Sequence, residues 1–323
     1  MRSGSVRLLL IAGTLVALVG CAAPSQRTRS APAAQFRSEP WSFDGHTGRA
    51  ILTDHYAIYS TIQDPRVQQK IAAVMEGALV QYQQFTPGLR LSSKPMECYI
   101  FAQRSEWASF TRERTGEDAA VYLQINRGGY TIRDWYVAYL ISEIGTYAVA
   151  AHEGWHQYVA RNFKSRLPPF LEEGIATMFE TIVWDANDRP RWNLKVNPTR
   201  ADRLRRAMES KQLWPLEKLI VMHAGDVVGL TGDRIETFYA QNWAFAMFLW
   251  EAERARYRPG MQRMLMDLAA GNTPPATGIR RGNGDTWNPQ SARPLLEHYL
   301  GMDLDQIERS YLTYLRKIAS SAS

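Results

Sequence analysis

The sequence has few cysteines, no long apolar run past its first residues, and no marked excess of either charge. Its 323 residues contain two cysteines, Cys21 and Cys98, which excludes a disulfide-framed scaffold. Beyond the N-terminus no apolar run approaches the roughly 20 residues a spanning helix needs, so a polytopic membrane protein is excluded. With 22 Gly and 16 Pro the chain is neither collagenous nor low-complexity. Lys and Arg number 38 against 32 Asp and Glu, a formal charge of +6. That excess is mild, and no interleaving of basic and aromatic residues points to nucleic acid. What the chain does have is a 45% hydrophobic fraction, which excludes disorder and supplies one large domain or two packed lobes.

The N-terminus has the grammar of export. Arg2 and Arg7 precede an apolar stretch, Leu8 to Val19, too short to span comfortably and of signal-peptide length. Leu18-Val19-Gly20-Cys21 resembles the bacterial lipobox. That resemblance implies a signal peptide at 1–20, a lipid on Cys21, and a cell-envelope location, the outer membrane in a two-membrane bacterium. Residues 21–40, rich in Ala, Pro, Ser and Arg, are expected to form a disordered tether. With Cys21 lipidated, Cys98 has no partner, and its apolar neighbours make it a buried small residue.

Periodicity predicts an α+β fold: a small mixed sheet with helices, then a mainly helical C-terminal lobe. The boundaries expected are 41–198 for the α/β lobe and 199–323 for the helical lobe. Strands are expected at 55–60, 96–101 and 120–125, the last stopped by Gly128-Gly129. Helices are expected from Asp64-Pro65 to Pro87, at 105–114, from about 136 to 163, from 170 to 184, and then at 199–211, 215–222, 235–255, 259–270, 292–299 and 303–319. The Gly-, Pro- and Asn-rich segment 271–291 is expected to be a loop.

The chemistry centres on His152-Glu153-Gly154-Trp155-His156, an H-E-x-x-H motif. On a helix, residues i and i+4 differ by about 40° of rotation and one turn of rise, so His152 and His156 can share one metal ion. Glu153 falls on the adjoining face, within reach of a water at that ion. Gly154 lowers helix propensity by about 1 kcal/mol relative to Ala, which implies a close neighbour. A catalytic zinc site takes three protein ligands. The acidic pair Glu172-Glu173 opens the next helix after Pro168-Pro169, whose turn would bring it back to the histidines.

The histidine motif followed by Glu-Gly-x-Ala resembles the gluzincin metallopeptidases, and more closely the bacterial peptidase MA-like proteins. The segment Leu167 to Ala176 and the stretch Phe238-Tyr239-Ala240-Gln241 also resemble that group. The resemblance implies a zincin-like fold, Zn2+ held by His152, His156 and Glu173, and Glu153 as general base. It makes the glutamate before the glycine the ligand, so Glu172 is the decoy. The spacer is two residues shorter than in the zinc aminopeptidases, so the loop between the helices must differ.

Weaker candidates surround this set. Glu180 lies seven residues after Glu173, on the same helical face, where it can hydrogen-bond a ligating histidine or simply sit at the core edge. Tyr239 can donate to an oxyanion, although Tyr239, Trp243, Ala246 and Trp250 also form a core-like stripe. His223 has the same options in a loop. His46, His55 and His298 are expected to be structural, and Arg200, Arg203, Arg205 and Arg206 to form a solvated helix face. A substrate cleft wall is expected at 120–130, with Tyr122, Gly128, Gly129 and Tyr130 receiving an extended peptide. The function expected is zinc-dependent hydrolysis of peptide bonds at a membrane-anchored site. The alternatives are a surface lipoprotein that binds without catalysis and retains a metal, and an amidase acting on peptidoglycan peptides.

Overall fold

The computed structural model describes residues 35–125, 128–227, 230–279 and 287–320; residues 1–34, with the expected signal and Cys21, lie outside the described residues. Three antiparallel pairings and two parallel ones build one six-stranded mixed sheet. β1 (Arg37–Phe43) pairs antiparallel with β2 (His46–Leu52), and β2 with β3 (Tyr56–Ser60). The tether therefore ends earlier than residue 40. Arg37–Pro40 already form strand, and Pro40 is tolerated because β1 is a sheet edge.

α1 (Pro65–Tyr82) starts with Pro65 in its first turn and with Asp64 accepting from Arg66 N at 2.8 Å. It carries the chain to β4 (Met96–Phe101), parallel to β3. α2 (Arg104–Thr115) follows. The strand expected at 120–125 is instead α3 (Ala119–Tyr122) and a turn. A 3₁₀ turn at Gly116–Asp118 leads directly into it, and Val121 is 63% exposed. The strand comes later, as β5 (Gly129–Ile132), antiparallel to β6 (Trp135–Tyr139). β6 inserts parallel to β4, giving the order β1-β2-β3-β4-β6-β5. β5 is thus an edge.

The helix expected from 136 begins only at Glu143. Residues 135–139 are strand, and no Gly or Pro separates strand from helix to betray the change. α4 (Glu143–Asn162) is capped by Ser142, whose hydroxyl accepts from Gly145 N at 3.1 Å. α5 (Pro169–Met178) is likewise shorter than expected, and its tail becomes β7 (Ile182–Trp184), paired with β8 (Pro190–Trp192). The C-terminal region is helical as expected: α6 (Pro198–Glu209), α7 (Leu216–Leu219), α8 (Ala224–Val227), α9 (Gly232–Ala255), α10 (Arg258–Ala270), α11 (Ala292–Leu300) and α12 (Leu304–Ser320). Short 3₁₀ turns at Pro275–Thr277 and Pro289–Ser291 interrupt the expected loop. Among the described residues no helix is long and apolar enough to cross a membrane.

Strand alternation sorts the core. Cys98 and Ile100 of β4, with Tyr136 and Ala138 of β6, face α1 and α4 in the main core. Phe101, Val137 and Tyr139 face α2 through Trp107 and Phe110. The main core continues from the sheet through α4 and α5 to α9, which is buried on nearly every side from Phe238 to Trp250. Packed between sheet and α9, α4 and α5 have little freedom to shift. Gly154 shows how tight the packing is: a Cβ there would lie 2.6 Å from the Tyr82 hydroxyl, which donates to Ala151 O. Gly174 on α5 lies equally close to α9, where a Cβ would meet Asn242 O at 2.4 Å.

Candidate metal centre

α4 and α5 are joined by 163–168, a loop whose amides at Lys164 and Ser165 donate to Ala269 and Leu268 at the end of α10. The loop and Pro168-Pro169 return the chain so that α5 lies beside α4. Three side-chain atoms then converge. His152 Nε2 lies 3.3 Å from His156 Nε2. Glu173 Oε2 lies 3.4 Å from the first and 3.7 Å from the second. Ligands at 2.0–2.1 Å from a tetrahedral zinc stand about 3.3 Å apart, so the spacing fits one such ion. Glu173 Oε2 is buried and accepts no well-formed hydrogen bond among the described residues, as expected of an atom whose partner is a cation.

The outer nitrogens of both rings are engaged. His152 Nδ1 lies 3.2 Å from Glu180 Oε1, and His156 Nδ1 lies 3.0 Å from Glu172 Oε1. These contacts turn each Nε2 toward the centre. Glu172 is therefore no bystander: it holds His156 while its neighbour Glu173 points to the ligand triangle. Glu180 is held in turn by Arg200, Nη2 to Oε1 at 2.7 Å and Nε to Oε2 at 3.0 Å, and by Asn197 Nδ2 at 3.1 Å.

The histidines and the carboxylates around them are strongly coupled. Burial alone disfavours the charged ring of His152, but contacts with Glu173 and Glu180 outweigh it and raise its pKa to about 9. Burial likewise opposes charge on His156, and Glu173 and Glu172 override it, so its pKa rises well above the ordinary imidazole value. Burial pushes Glu173 upward, but the rings, His156 foremost, hold its carboxyl far below the usual range. An imidazole ligates a metal only through a deprotonated nitrogen, so metal affinity at these residues would depend on pH.

A cleft of about 910 Å³ opens onto this cluster. Glu153 lines it and stays outside the ligand triangle. Thr131 Oγ1 on β5 lies 3.0 Å from Glu153 Oε2 and 3.2 Å from Glu153 O. Edge strand β5 thus runs beside the histidine helix. Of the residues expected to form the cleft wall, Gly129 and Tyr130 line the cavity. Tyr122 does not; it stacks behind Tyr130, centroids 4.5 Å apart. Gly128 supplies a turn at φ 139° and is not in the lining. The wall is therefore 129–131, and the helical 119–122 segment supports it from outside.

Tyr239 on α9 lines the same cleft, with the Arg200 guanidinium 5.3 Å from its ring centroid. Burial first, and then Glu173 and Glu153, push its phenol pKa upward, so it carries its proton at neutral pH. Trp243, Ala246 and Trp250 of the expected stripe are buried, and the stripe meets the cleft at Tyr239. His223 also reaches the cleft but is half exposed and contacts Asp226, Nε2 to Oδ1 at 3.3 Å. His55 pairs with Glu76 at 2.8 Å and His46 faces Glu106 at 3.4 Å, both away from the cluster. Cys98 is fully buried, and burial pushes its thiol pKa up.

Three contributors escaped the sequence reading. Thr131 belongs to no motif. Asn197 stands before Pro198 in no recognisable motif. Arg200 was grouped with a solvated face, yet its side chain is 18% exposed and turned inward, while Arg205 and Arg206 pair with Asp202 at the surface. The signal that could have separated it is its place in the first turn of α6, where a cation opposes the helix dipole. In comparisons with known proteins, the chain matches no family model, no curated protein and no solved structure.

Proposed function

We propose that the chain is a zinc-dependent hydrolase of peptide bonds, of the gluzincin type its motifs resemble. The observation that carries this reading is the triangle of His152 Nε2, His156 Nε2 and Glu173 Oε2 with Glu153 beside it in an open cleft. His152, His156 and Glu173 would hold a zinc ion, which would supply a Lewis acid and lower the pKa of a bound water toward neutrality. Glu153 accepts the proton of the attacking water and returns it to the leaving amine. Thr131, donating to the Glu153 carboxylate, fixes its orientation. Tyr239, protonated, is the hydrogen-bond donor for the developing oxyanion. The free edge of β5 offers main-chain groups to an extended peptide, and Gly129 and Tyr130 lie along its path.

A binding module that merely retains a metal has no use for a carboxylate next to the first histidine, oriented by a hydroxyl from a cleft strand. That detail favours turnover. The lipobox-like segment supports attachment to an envelope membrane through Cys21; an intact-mass spectrum of the mature chain without lipid contradicts this part.

The test is cleavage of a mixed peptide library by the zinc-loaded full chain, read by mass spectrometry. Glu153→Gln keeps its zinc and loses at least about 10²-fold in rate, the lower end of general acid–base contributions. Equal cleavage by the variant contradicts the mechanism.

A further inference from the structure

We propose that Arg200 is a positioning residue for both sides of the reaction centre, holding His152 through Glu180 and the ring of Tyr239 through a direct cation–π contact. The inference rests on the zinc-hydrolase reading for its kinetic arm, and on the chain's own contacts for its metal arm.

The first turn of α6 is built as a clamp. Asn197 caps it, its Oδ1 accepting from Arg200 N at 3.2 Å. The same amide side chain donates through Nδ2 to Glu180 Oε2 at 3.1 Å and to Thr177 O at 3.3 Å. One residue thus fixes where α6 begins and ties that point to the end of α5. Three residues on, the Arg200 guanidinium meets the Glu180 carboxylate through two N–H donors, one to each oxygen. A forked contact of this kind fixes the orientation of the carboxylate as well as its position. Oε1, the oxygen 2.7 Å from Arg200 Nη2, is also the one 3.2 Å from His152 Nδ1.

The placement works against local preference. The positive end of a helix dipole disfavours a cation, and the first turn of α6 holds no acidic residue to offset it. Burial adds to the disadvantage. The arginine is accommodated because Glu180 balances it, and Glu180, itself mostly buried, needs the same counter-charge once His152 carries a metal. Removing the guanidinium leaves the carboxylate with His152 and Asn197 alone, free to swing away from the imidazole it orients. The guanidinium also lies 5.3 Å from the centroid of Tyr239, a distance at which a cation and a ring face attract. Tyr239 comes from α9 and His152 from α4, so one side chain of α6 ties a ligand on one wall to a donor on the other.

The experiment compares the full chain with Arg200→Met, Arg200→Lys, Tyr239→Phe and the double variant Arg200→Met/Tyr239→Phe. Zinc affinity is read by competition with a chelator, and kcat and KM with a quenched fluorescent peptide library. Arg200→Met is expected to weaken zinc about 10- to 100-fold, the range for a residue that orients a ligand from outside the coordination sphere. It is also expected to lower kcat more than it raises KM. Arg200→Lys restores charge without the fork and recovers only part of both. In the double variant the kcat loss is expected to be smaller than the product of the two single losses, because Arg200→Met already misplaces the phenol. Wild-type zinc affinity in Arg200→Met, together with fully multiplicative kcat losses, overturns the proposal and leaves a purely structural ion pair. If Arg200→Met does not fold, Arg200→Lys decides alone: wild-type zinc affinity and kcat overturn it. If the wild-type chain binds zinc but cleaves nothing in the library, the hydrolase reading fails, and the zinc arm still tests Arg200.

Discussion

His152 and His156 stand one turn apart on α4, yet the supports behind them are of different kinds. His156 leans on Glu172, which the first turn of α5 carries and which is the chain neighbour of Glu173. His152 leans on Glu180 beyond the end of α5, and Glu180 is held from a third element by Arg200 and Asn197. One arm is complete within residues 152–173. The other exists only when α6 has docked. A short stretch of sequence thus specifies half of the candidate metal centre, and tertiary packing supplies the rest. The longer arm has more polar groups that must all be satisfied, so losing one of them releases more of the network.

The largest effect expected from breaking this comparison falls outside both arms. Tyr239→Phe removes a donor aimed at the cleft and leaves both histidine supports in place. Its kcat is expected to fall about 10²-fold, the cost of losing one oxyanion donor, with zinc affinity unchanged. A kcat within a factor of two of wild type removes Tyr239 from the mechanism. Next in size is the contrast between the arms themselves. Glu180→Ala is expected to weaken zinc about 10- to 100-fold and Glu172→Ala to sit at the lower end of that range. Chelator competition gives both numbers, and the reverse order means that the local arm carries the site.

Smaller still is the effect of disturbing the helix between the two histidines. Gly154→Ala should gain about 1 kcal/mol of helix propensity, but its methyl would meet the Tyr82 hydroxyl at 2.6 Å. Forcing an atom into packing this tight costs about 1–3 kcal/mol, so the net expectation is a modest loss of thermal stability with some loss of zinc affinity. A variant that melts higher than wild type shows that Tyr82 gives way easily and that the bed of α4 is softer than its contacts imply.

The same division marks what could be read from the sequence. The helix pair was legible because i,i+4 histidines, a Pro-Pro break and an acidic pair are local signals. Glu180 was legible as a candidate because seven residues is two helical turns, although α5 has ended by then and the residue reaches His152 from the connection to β7. β5 was not legible. Gly128-Gly129 resembled a stop, but Gly129 lies within the strand, where a Cβ would come 2.7 Å from both a Tyr136 ring carbon and Val137 O. The choice of glycine there reflects close packing between neighbouring strands, which no local pattern reveals. Arg200 was concealed by its company: four arginines within seven residues have the composition of a solvated face. Two turn inward, Arg200 to Glu180 and Arg203 to Asp233 and Thr237. The carboxylate that admits Arg200 lies twenty residues earlier in the chain.

The central claim is that Glu173, and not its neighbour, closes the metal triangle with His152 and His156. Metal analysis of the purified full chain and of Glu173→Ala and Glu172→Ala, each equilibrated with excess zinc and then desalted, tests it most directly. One zinc per chain in the wild type, about one in Glu172→Ala and none in Glu173→Ala is the predicted result. A full complement of zinc in Glu173→Ala, or an empty site in Glu172→Ala beside a filled one in Glu173→Ala, contradicts it.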